Sequence, residues 1–204
     1  KKVFLNEELI SLDRKNKIAY TNKREIKYDR LISSMPFTTL LNKTKTPYNK
    51  EIYSWNKVLV FNLGFDKKGV DKVNNWVYFP EKSYSFYRIG YYDNIFGDDR
   101  LSLYVELGFD KIANVNSEDY LNIVLEDLKK ARIIEDHKLI SYVKILMDPA
   151  YVHVNKDSEK DKVRIQKEME IDSMYSIGRY GDWKYCSIED NIIEAKELCN
   201  KINK

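Results

Sequence analysis

The order of elements along this chain predicts an α+β fold, with a mixed or antiparallel sheet flanked by helices. Three observations carry that reading. Aromatic and β-branched runs crowd residues 57–109. Helical periodicity is concentrated later, from Ser117 onward. The chain closes on a short apolar strand, a glycine-containing turn and a capped helix.

Residues 1–35 read as short strands, Val3-Phe-Leu, Leu9-Ile-Ser-Leu, Lys17-Ile-Ala-Tyr and Leu31-Ile-Ser-Ser, separated by polar turns such as Asp13-Arg-Lys-Asn. The last stops at Pro36. A boundary is expected between Pro36 and Pro47, through Asn42-Lys-Thr-Lys-Thr. The middle offers strands at Lys57–Phe65, Asn75–Phe79, Phe86–Tyr91 and Leu101–Phe109. Ser117 is expected to cap a helix, with Glu118 and Asp119 suited to its positive end and Leu121, Val124, Leu125 and Leu128 on its buried face. Leu139–Met147 reads as a strand ending at Pro149, and Ser158–Ile171 as a charged helix that packs through Val163, Ile165 and Met169. Met174–Ile177 is the closing strand, followed by a polar, aromatic loop. Ser187-Ile-Glu-Asp190 has the form of a capping box, and Ile188, Ile192, Ala195, Cys199 and Ile202 give the last helix an apolar stripe.

Composition narrows the function. A net charge of +3, with 32 acidic residues interleaved among 35 basic ones, gives no basic block for nucleic acid. No apolar run approaches the length of a membrane span, and the opening Lys1-Lys-Val-Phe-Leu-Asn-Glu-Glu is not a signal peptide. Two cysteines without metal spacing fit a reduced, cytoplasmic protein. His137 reads as a solvated turn residue and His153 as a structural histidine on a strand, so no metal site is expected. Only seven glycines are present, none arranged as Gly-x-Gly-x-x-Gly, so no dinucleotide-binding entry motif is recognisable.

Two stretches bear chemistry. In Trp76-Val-Tyr-Phe-Pro-Glu-Lys-Ser-Tyr-Ser-Phe-Tyr-Arg88, aromatic faces can hold a sugar or a nucleobase, and Arg88 has the bidentate geometry for phosphate or carboxylate. Strand alternation puts Phe86, Arg88 and Gly90 on one face, and sets Trp76 with Tyr78. The bland alternative is an aromatic core with an arginine at its rim. In the closing motif, Gly178 and Gly181 allow close backbone approach, Arg179 follows an apolar strand, and Trp183, Lys184 and Tyr185 form a second aromatic-basic cluster. Asp190 and Asn191 begin a helix whose free N–H groups attract an anion or an electron-rich group.

Tyr28-Asp-Arg-Leu-Ile-Ser-Ser-Met-Pro36, Trp76-Val-Tyr-Phe-Pro-Glu81, Phe86-Tyr-Arg-Ile-Gly90 and Gly178-Arg-Tyr-Gly-Asp-Trp-Lys-Tyr185 stand in this order. Together they resemble segments of FAD-dependent oxidoreductases of the flavin-containing amine oxidase and UDP-galactopyranose mutase-like family, some of them tied to polysaccharide and lipopolysaccharide synthesis. The resemblance implies partial FAD-domain elements at both ends, in residues 1–36 and 173–204, around a substrate domain at 37–172. It implies cofactor contacts from Gly178, Arg179, Asp190, Asn191 and Ile192. It also implies substrate contacts from Trp76, Tyr78, Arg88, Trp183 and Tyr185, with Arg88, Arg179 and Tyr185 suited to a diphosphate. The mutase motif usually has Tyr at the place of Trp183 and Asp at the place of Ser187, so the general oxidoreductases fit better.

The expectation is therefore a C-terminal part of a flavin-dependent oxidoreductase or mutase acting on a small molecule such as a nucleotide sugar. Its partner would be the missing N-terminal Rossmann portion of the same protein, and the isolated chain would hold FAD weakly or not at all. No catalytic residue is identified, the cofactor carrying most of the chemistry. The alternative is a stand-alone nucleotide-sugar or glycan-binding module without redox activity. A nucleic-acid-binding domain using Tyr and Lys is a third reading.

Overall fold

Residues from the two ends of the chain fold together. In the computed structural model, which describes residues 2–203, the segments up to Ser54 and from Val152 form one unit, and residues 55–151 form another. The α+β class is as expected from the sequence.

The first unit begins with an antiparallel meander of β1 (Leu9–Asp13), β2 (Ile18–Thr21) and β3 (Glu25–Lys27). The Asp13 carboxylate accepts from the Asn16 backbone N–H at 2.9 Å and closes the first turn. Val3–Leu5, expected as a strand, is irregular, with Val3 and Leu5 exposed; among the described residues no strand pairs with it. After the meander, β4 (Leu31–Ser33) lies parallel to β10 (Met174–Ser176), with Leu31 opposite Met174 and Ser33 opposite Ser176.

Helix α1 (Phe37–Lys43) follows Pro36. No helical signal marks this stretch: Pro36 at the cap makes no side-chain bond, and two threonines follow. Burial of Phe37, Leu40 and Leu41 decides it. Helix α4 (Lys156–Ile171) opens on a full capping box, Asn155 and Ser158 bonding reciprocally. Its Ile165 and Met169 are buried as expected, whereas Val163 is exposed. One helical turn, α5 (Gly178–Gly181), replaces the expected loop, and α6 (Ile188–Ile202) closes the chain behind the Ser187–Asp190 capping box. The predicted stripe on α6 does not turn inward as a whole. Ile188 and Ile192 are 81% and 65% exposed, and the buried residue is Leu198.

The second unit is built on one sheet in the order β6 (Trp76–Tyr78), β7 (Arg88–Tyr91), β8 (Ser102–Asp110), β5 (Ser54–Phe65) and β9 (Leu139–His153). One face is the core. Leu59, Phe61 and Leu63 of β5, Ile89 of β7, and Leu103, Val105 and Leu107 of β8 pack with Val124 and Leu128 of helix α3 (Tyr120–Lys130). Leu121 and Leu125 pack partly buried against the same cluster. A 3-10 turn at Ser117–Asp119 precedes α3, and its cap is the Asn116 side chain rather than Ser117. A short helix, α2 (Tyr92–Phe96), ends at Gly97 in the left-handed region. Strand β9 runs through Pro149 instead of stopping there, which an edge strand tolerates because its outer N–H groups need no partner.

Register aligns the opposite face into rows. Trp76 sits across from Gly90, Gly90 from Tyr104, and Tyr104 from Asn62. Tyr78 sits across from Arg88, and Arg88 from Glu106. Gly90 is what lets the first row close. A Cβ there would stand 1.9 Å from Tyr104 Cε1, so the tyrosine ring lies where a side chain would be. Gly90→Ala should therefore expel the ring and destabilise the protein by about 1–3 kcal/mol, read from urea unfolding. An unchanged midpoint would show that Tyr104 moves aside at no cost.

Candidate functional site

Two surfaces carry the residues singled out in the sequence, one in each unit. The first is the open face of the five-stranded sheet. Trp76 and Tyr78, on edge strand β6, are 55% and 57% exposed. Arg88 lies beside them, its guanidinium held on several sides. Its Nη2 donates to Glu106 Oε1 at 2.6 Å and to the Tyr151 hydroxyl at 3.4 Å, and its Nη1 donates to the Tyr78 hydroxyl at 3.1 Å. The Tyr78 ring centroid is 5.6 Å from the guanidinium carbon. The other carboxylate oxygen of Glu106 accepts from the Tyr87 hydroxyl at 2.5 Å. Burial opposes the Arg88 charge, but the bonds to Glu106 and Tyr78 outweigh it and raise the pKa further. Burial, reinforced by the bond to the carboxylate, likewise pushes the Tyr87 phenol far above its ordinary value.

The structure brings together Trp76, Tyr78 and Arg88, which the sequence singled out, with Glu106, Tyr87, Tyr104 and Tyr151, which it did not. Alternation along Leu103-Tyr-Val-Glu-Leu does set Tyr104 and Glu106 on one face. Pairing them with Arg88 needs the register of β7 against β8, which no local signal supplies.

The second surface is the closing motif. Strand β10 hands the chain to Gly178 by a bond from the Ile177 N–H to the Ser33 carbonyl at 2.9 Å. Gly178 has φ +84, which favours glycine. Its N–H donates to Glu194 Oε2 at 2.9 Å, and the next N–H, of Arg179, donates to Asn191 Oδ1 at 3.0 Å. The turn amides are thus answered by side chains of α6. Asn191 also donates from Nδ2 to the Ser187 carbonyl at 2.8 Å. The Asp190 carboxylate accepts from both the N–H and the hydroxyl of Ser187 at 2.8 Å, so it serves the cap. Ile192 points outward. The Arg179 guanidinium lies over the Tyr185 ring at 4.6 Å, and Tyr185 is 76% exposed. A cleft of about 500 Å³ beside it is lined by Lys184, Tyr185, Cys186, Asp190, Ile193, Glu194 and Glu197.

Trp183 lies elsewhere, 1% exposed, with its ring edge-on to Tyr53 at 5.4 Å. It is a core residue of the first unit and offers a ligand no open face. Its φ of +46 is rare for a bulky side chain and is held by the packing around it. Asp182, just before it, accepts from Gln166 at 2.9 Å and pairs with Lys184 at 3.0 Å and Lys162 at 3.3 Å. Burial alone would raise the Asp182 pKa, but the bonds from Gln166 and Lys184 and the charge of Lys162 hold it below its ordinary 3.8. Among the described residues, no group of three His, Cys, Asp or Glu side chains is placed to hold a metal ion, and no helix is long and apolar enough to cross a membrane.

Trp183→Ala should cost about 3–5 kcal/mol of stability, whereas Trp76→Ala should stay within about 0.5 kcal/mol; chemical denaturation of both variants decides it. Because the folded Asp182 pKa is depressed, its contribution is complete above the ordinary value and is lost as pH falls through the depressed one. Asp182→Asn should then flatten the acid limb of the stability–pH curve, and an unaltered limb would remove Asp182 from that role.

No protein-family model matches the sequence, and no curated protein does. Solved structures do match. A reduced UDP-galactopyranose mutase is similar over 87% of this chain and 41% of its own, at 24% identity and TM-score 0.76. A putative protoporphyrinogen oxidase from Exiguobacterium sp. 255-15 is similar over 96% of this chain and 46% of its own, at 15% identity and TM-score 0.76. A fatty acid isomerase from P. acnes that produces CLA is similar over 96% of this chain and 47% of its own, at 12% identity and TM-score 0.65. The chain spans less than half the length of each. At these identities the likeness is one of fold: this chain has the fold of part of those structures, which all belong to the FAD-dependent amine oxidase-like fold.

Proposed function

We propose that this chain supplies the substrate-binding sheet and the C-terminal cofactor-contacting segment of an FAD-dependent oxidoreductase or mutase. Its substrate would be a nucleotide sugar or a related small molecule of cell-surface polysaccharide synthesis, in the cytoplasm. The observation that carries the reading is the parallel pairing of β4 with β10, which runs directly into the Gly178 turn and the capped start of α6. That strand–turn–helix is a setting for a phosphate-bearing or electron-rich cofactor.

The residues fit such a group in a particular way. Gly178 and Arg179 shape the turn, and their N–H groups are engaged by Glu194 and Asn191. Asp190 and Asn191 hold the first turn of α6, leaving the N–H groups of Ile188 and Glu189, which no intrahelical carbonyl reaches, and the exposed Ile192 to meet the cofactor. FAD, when bound, would supply the electron-transfer or nucleophilic chemistry. Trp76, Tyr78 and Arg88 would orient substrate on the sheet face, Tyr185 with Arg179 would hold a polar part of it, and Trp183 would support that loop from inside. The missing dinucleotide-binding portion of the same protein would provide most of the affinity for FAD.

Visible flavin absorbance tests the reading, compared between this chain and the product of the full reading frame. The longer protein should purify yellow, and the chain alone colourless. In the longer protein, Arg179→Ala should lower flavin retention or substrate affinity. Absence of flavin from both, even after FAD is added, would falsify the flavoenzyme reading. The lead would then pass to a nucleotide-sugar or glycan-binding module without redox activity, a reading favoured by the fact that Trp76, Tyr78 and Arg88 all lie within residues 55–151.

A further inference from the structure

On the side of the sheet that α3 covers, a cleft of about 570 Å³ opens between β6, the loop of residues 70–74 and the end of α3. That volume is within the range of small-molecule sites. Strand alternation turns Val77 and Phe79 away from the face that carries Trp76 and Tyr78, and they line this cleft instead. Tyr91, two residues beyond the Ile89 that sits across from Val77, lines it from β7. Val70 and Ile133 complete the apolar walls.

The walls are fixed from within the chain. The Asp71 carboxylate accepts from the N–H groups of Val73 and Asn74, both at 3.0 Å, and from Asn74 Nδ2 at 2.7 Å. Asn94 Nδ2, on α2, donates to the Asn74 carbonyl at 2.8 Å and so pins the loop. On the other side, Arg132 turns the chain out of α3 at φ +57, which is uncommon for such a residue.

Three polar groups of the cleft are uncommitted. Among the described residues, the side chains of Lys72 and Arg132 make no ion pair or hydrogen bond, and the Tyr91 hydroxyl makes no hydrogen bond. Tyr91 is the unusual one, because it is 3% exposed and a buried phenol ordinarily finds a partner. Burial, with the charges of Asp71 and Asp93, pushes its pKa up to about 12, so it keeps its proton and can donate it in a hydrogen bond. An anion beside that hydroxyl would meet the same two carboxylates, so the deep end asks for a neutral acceptor oxygen. The rim is different. Lys72 and Arg132 are exposed and unpaired there, while the Asp71 charge is taken up by its three donors.

We propose that this cleft is a binding site for a small carboxylate with an apolar body and a neutral oxygen at its far end. The body lies on Val77, Phe79 and Ile133, the oxygen accepts from Tyr91, and the carboxylate meets Arg132 and Lys72 at the rim. The site is separate from the sheet face and from the closing motif, and it does not rest on the flavoenzyme reading.

Amide chemical-shift mapping on the isotope-labelled chain tests this with three probes: hydroxyphenylpropionate, its methyl ester, and phenylpropionate. The phenolic acid should shift amides of residues 70–79 and 131–133 saturably. The ester, which lacks the charge, should bind about threefold more weakly or worse, and phenylpropionate, which lacks the acceptor, likewise. Arg132→Gln, at an exposed position, should weaken the acid and leave the ester unchanged. Tyr91→Phe removes an unbonded hydroxyl and keeps the ring, so it should fold and bring the phenolic acid down to phenylpropionate. Equal binding of acid and ester would overturn the proposal. So would an affinity untouched by either substitution, shifts confined to other segments, or no response to any probe. Recruitment to phosphatidylglycerol vesicles through Lys72 and Val73, without binding of the acid, would assign the rim to a lipid surface and overturn it as well. Flavin content enters none of these readouts, so the cleft can fail while the flavoenzyme reading holds, and the reverse.

Discussion

Three residue pairs hold the two ends of the chain in one unit. Strand β4 meets β10 in parallel over Leu31–Met174, Ile32–Tyr175 and Ser33–Ser176. A parallel pair cannot be closed by a tight turn, so all that lies between its strands is crossover, including the whole five-stranded sheet. So short a ladder holds only because its flanks are buried. Met174 is fully buried, and Ile165 and Met169 of α4 join it in the interior with Phe37, Leu40 and Leu41 of α1. Arg14 ties the meander to this unit, bonding Asp172 at 2.8 Å and the Thr46 hydroxyl at 3.2 Å. Fixing the end of β4 in turn fixes the start of the closing motif. Ile177 bonds to the Ser33 carbonyl, and the Ser176 hydroxyl donates to the Gly181 carbonyl at 2.7 Å.

In the second unit the governing constraint is period-two alternation on a sheet with one covered face. The core with α3 takes Leu59, Phe61 and Leu63 of β5, Ile89 of β7 and Leu103, Val105 and Leu107 of β8. Arg88, Tyr104 and Glu106, at alternate positions, therefore fall on the opposite face together with Val58 and Val60. A one-residue slip of β7 against β8 would send Ile89 outward and Arg88 into the core. The core that stabilises the sheet therefore also places the Arg88–Glu106 pair. Breaking a pair of this kind is costly because it leaves one charge with little solvent, whatever the pair contributes as a whole.

Much of this was legible along the chain, and the failures have local causes. The middle strands stand out because β-branched and aromatic runs mark them, and α6 because of its Ser187–Asp190 box. Helix α4 is expected from Ser158, on its charged residues and those left to pack, but its start behind the Asn155–Ser158 box is not read. Helix α1 carries no such mark and exists because Phe37, Leu40 and Leu41 find a core. Asn116-Ser-Glu-Asp contains two adjacent residues able to cap, and backbone geometry selects Asn116. Proline normally ends a central strand, but nothing in the sequence says that β9 is an edge. Trp183, set among Asp182, Lys184 and Tyr185, reads as surface aromatic. Its burial against Tyr53 joins residues far apart in sequence, which a linear reading does not contain. Alternation sets Trp76 with Tyr78 and Arg88 with Gly90, but joining the two pairs on one face needs the register of β6 against β7. The charge state of that face needs Glu106 and the register of β8. Phe86, expected beside Arg88, is buried in the core instead.

The closing motif shows how a glycine turn can have its amides answered from within the chain. A glycine turn before a helix has N–H groups that must be satisfied by something. Here the N–H groups of Gly178 and Arg179 are satisfied from α6, by the Glu194 carboxylate and the Asn191 amide oxygen. Lys184 in turn bonds Glu194 at 3.1 Å, so the carboxylate under Gly178 is compensated on its far side. The Cys186 thiol approaches Asn191 Oδ1 at 3.6 Å, and Asn191 Nδ2 reaches the Ser187 carbonyl, so a single asparagine joins the turn, the loop and the helix cap. A segment braced in this way needs no ligand to reach its shape. What the bracing leaves uncommitted are the first amides of α6 and the outward side chains Ile188 and Ile192. The same logic governs the sheet face, where Glu106 answers Arg88 internally while Trp76 and Tyr78 stay exposed.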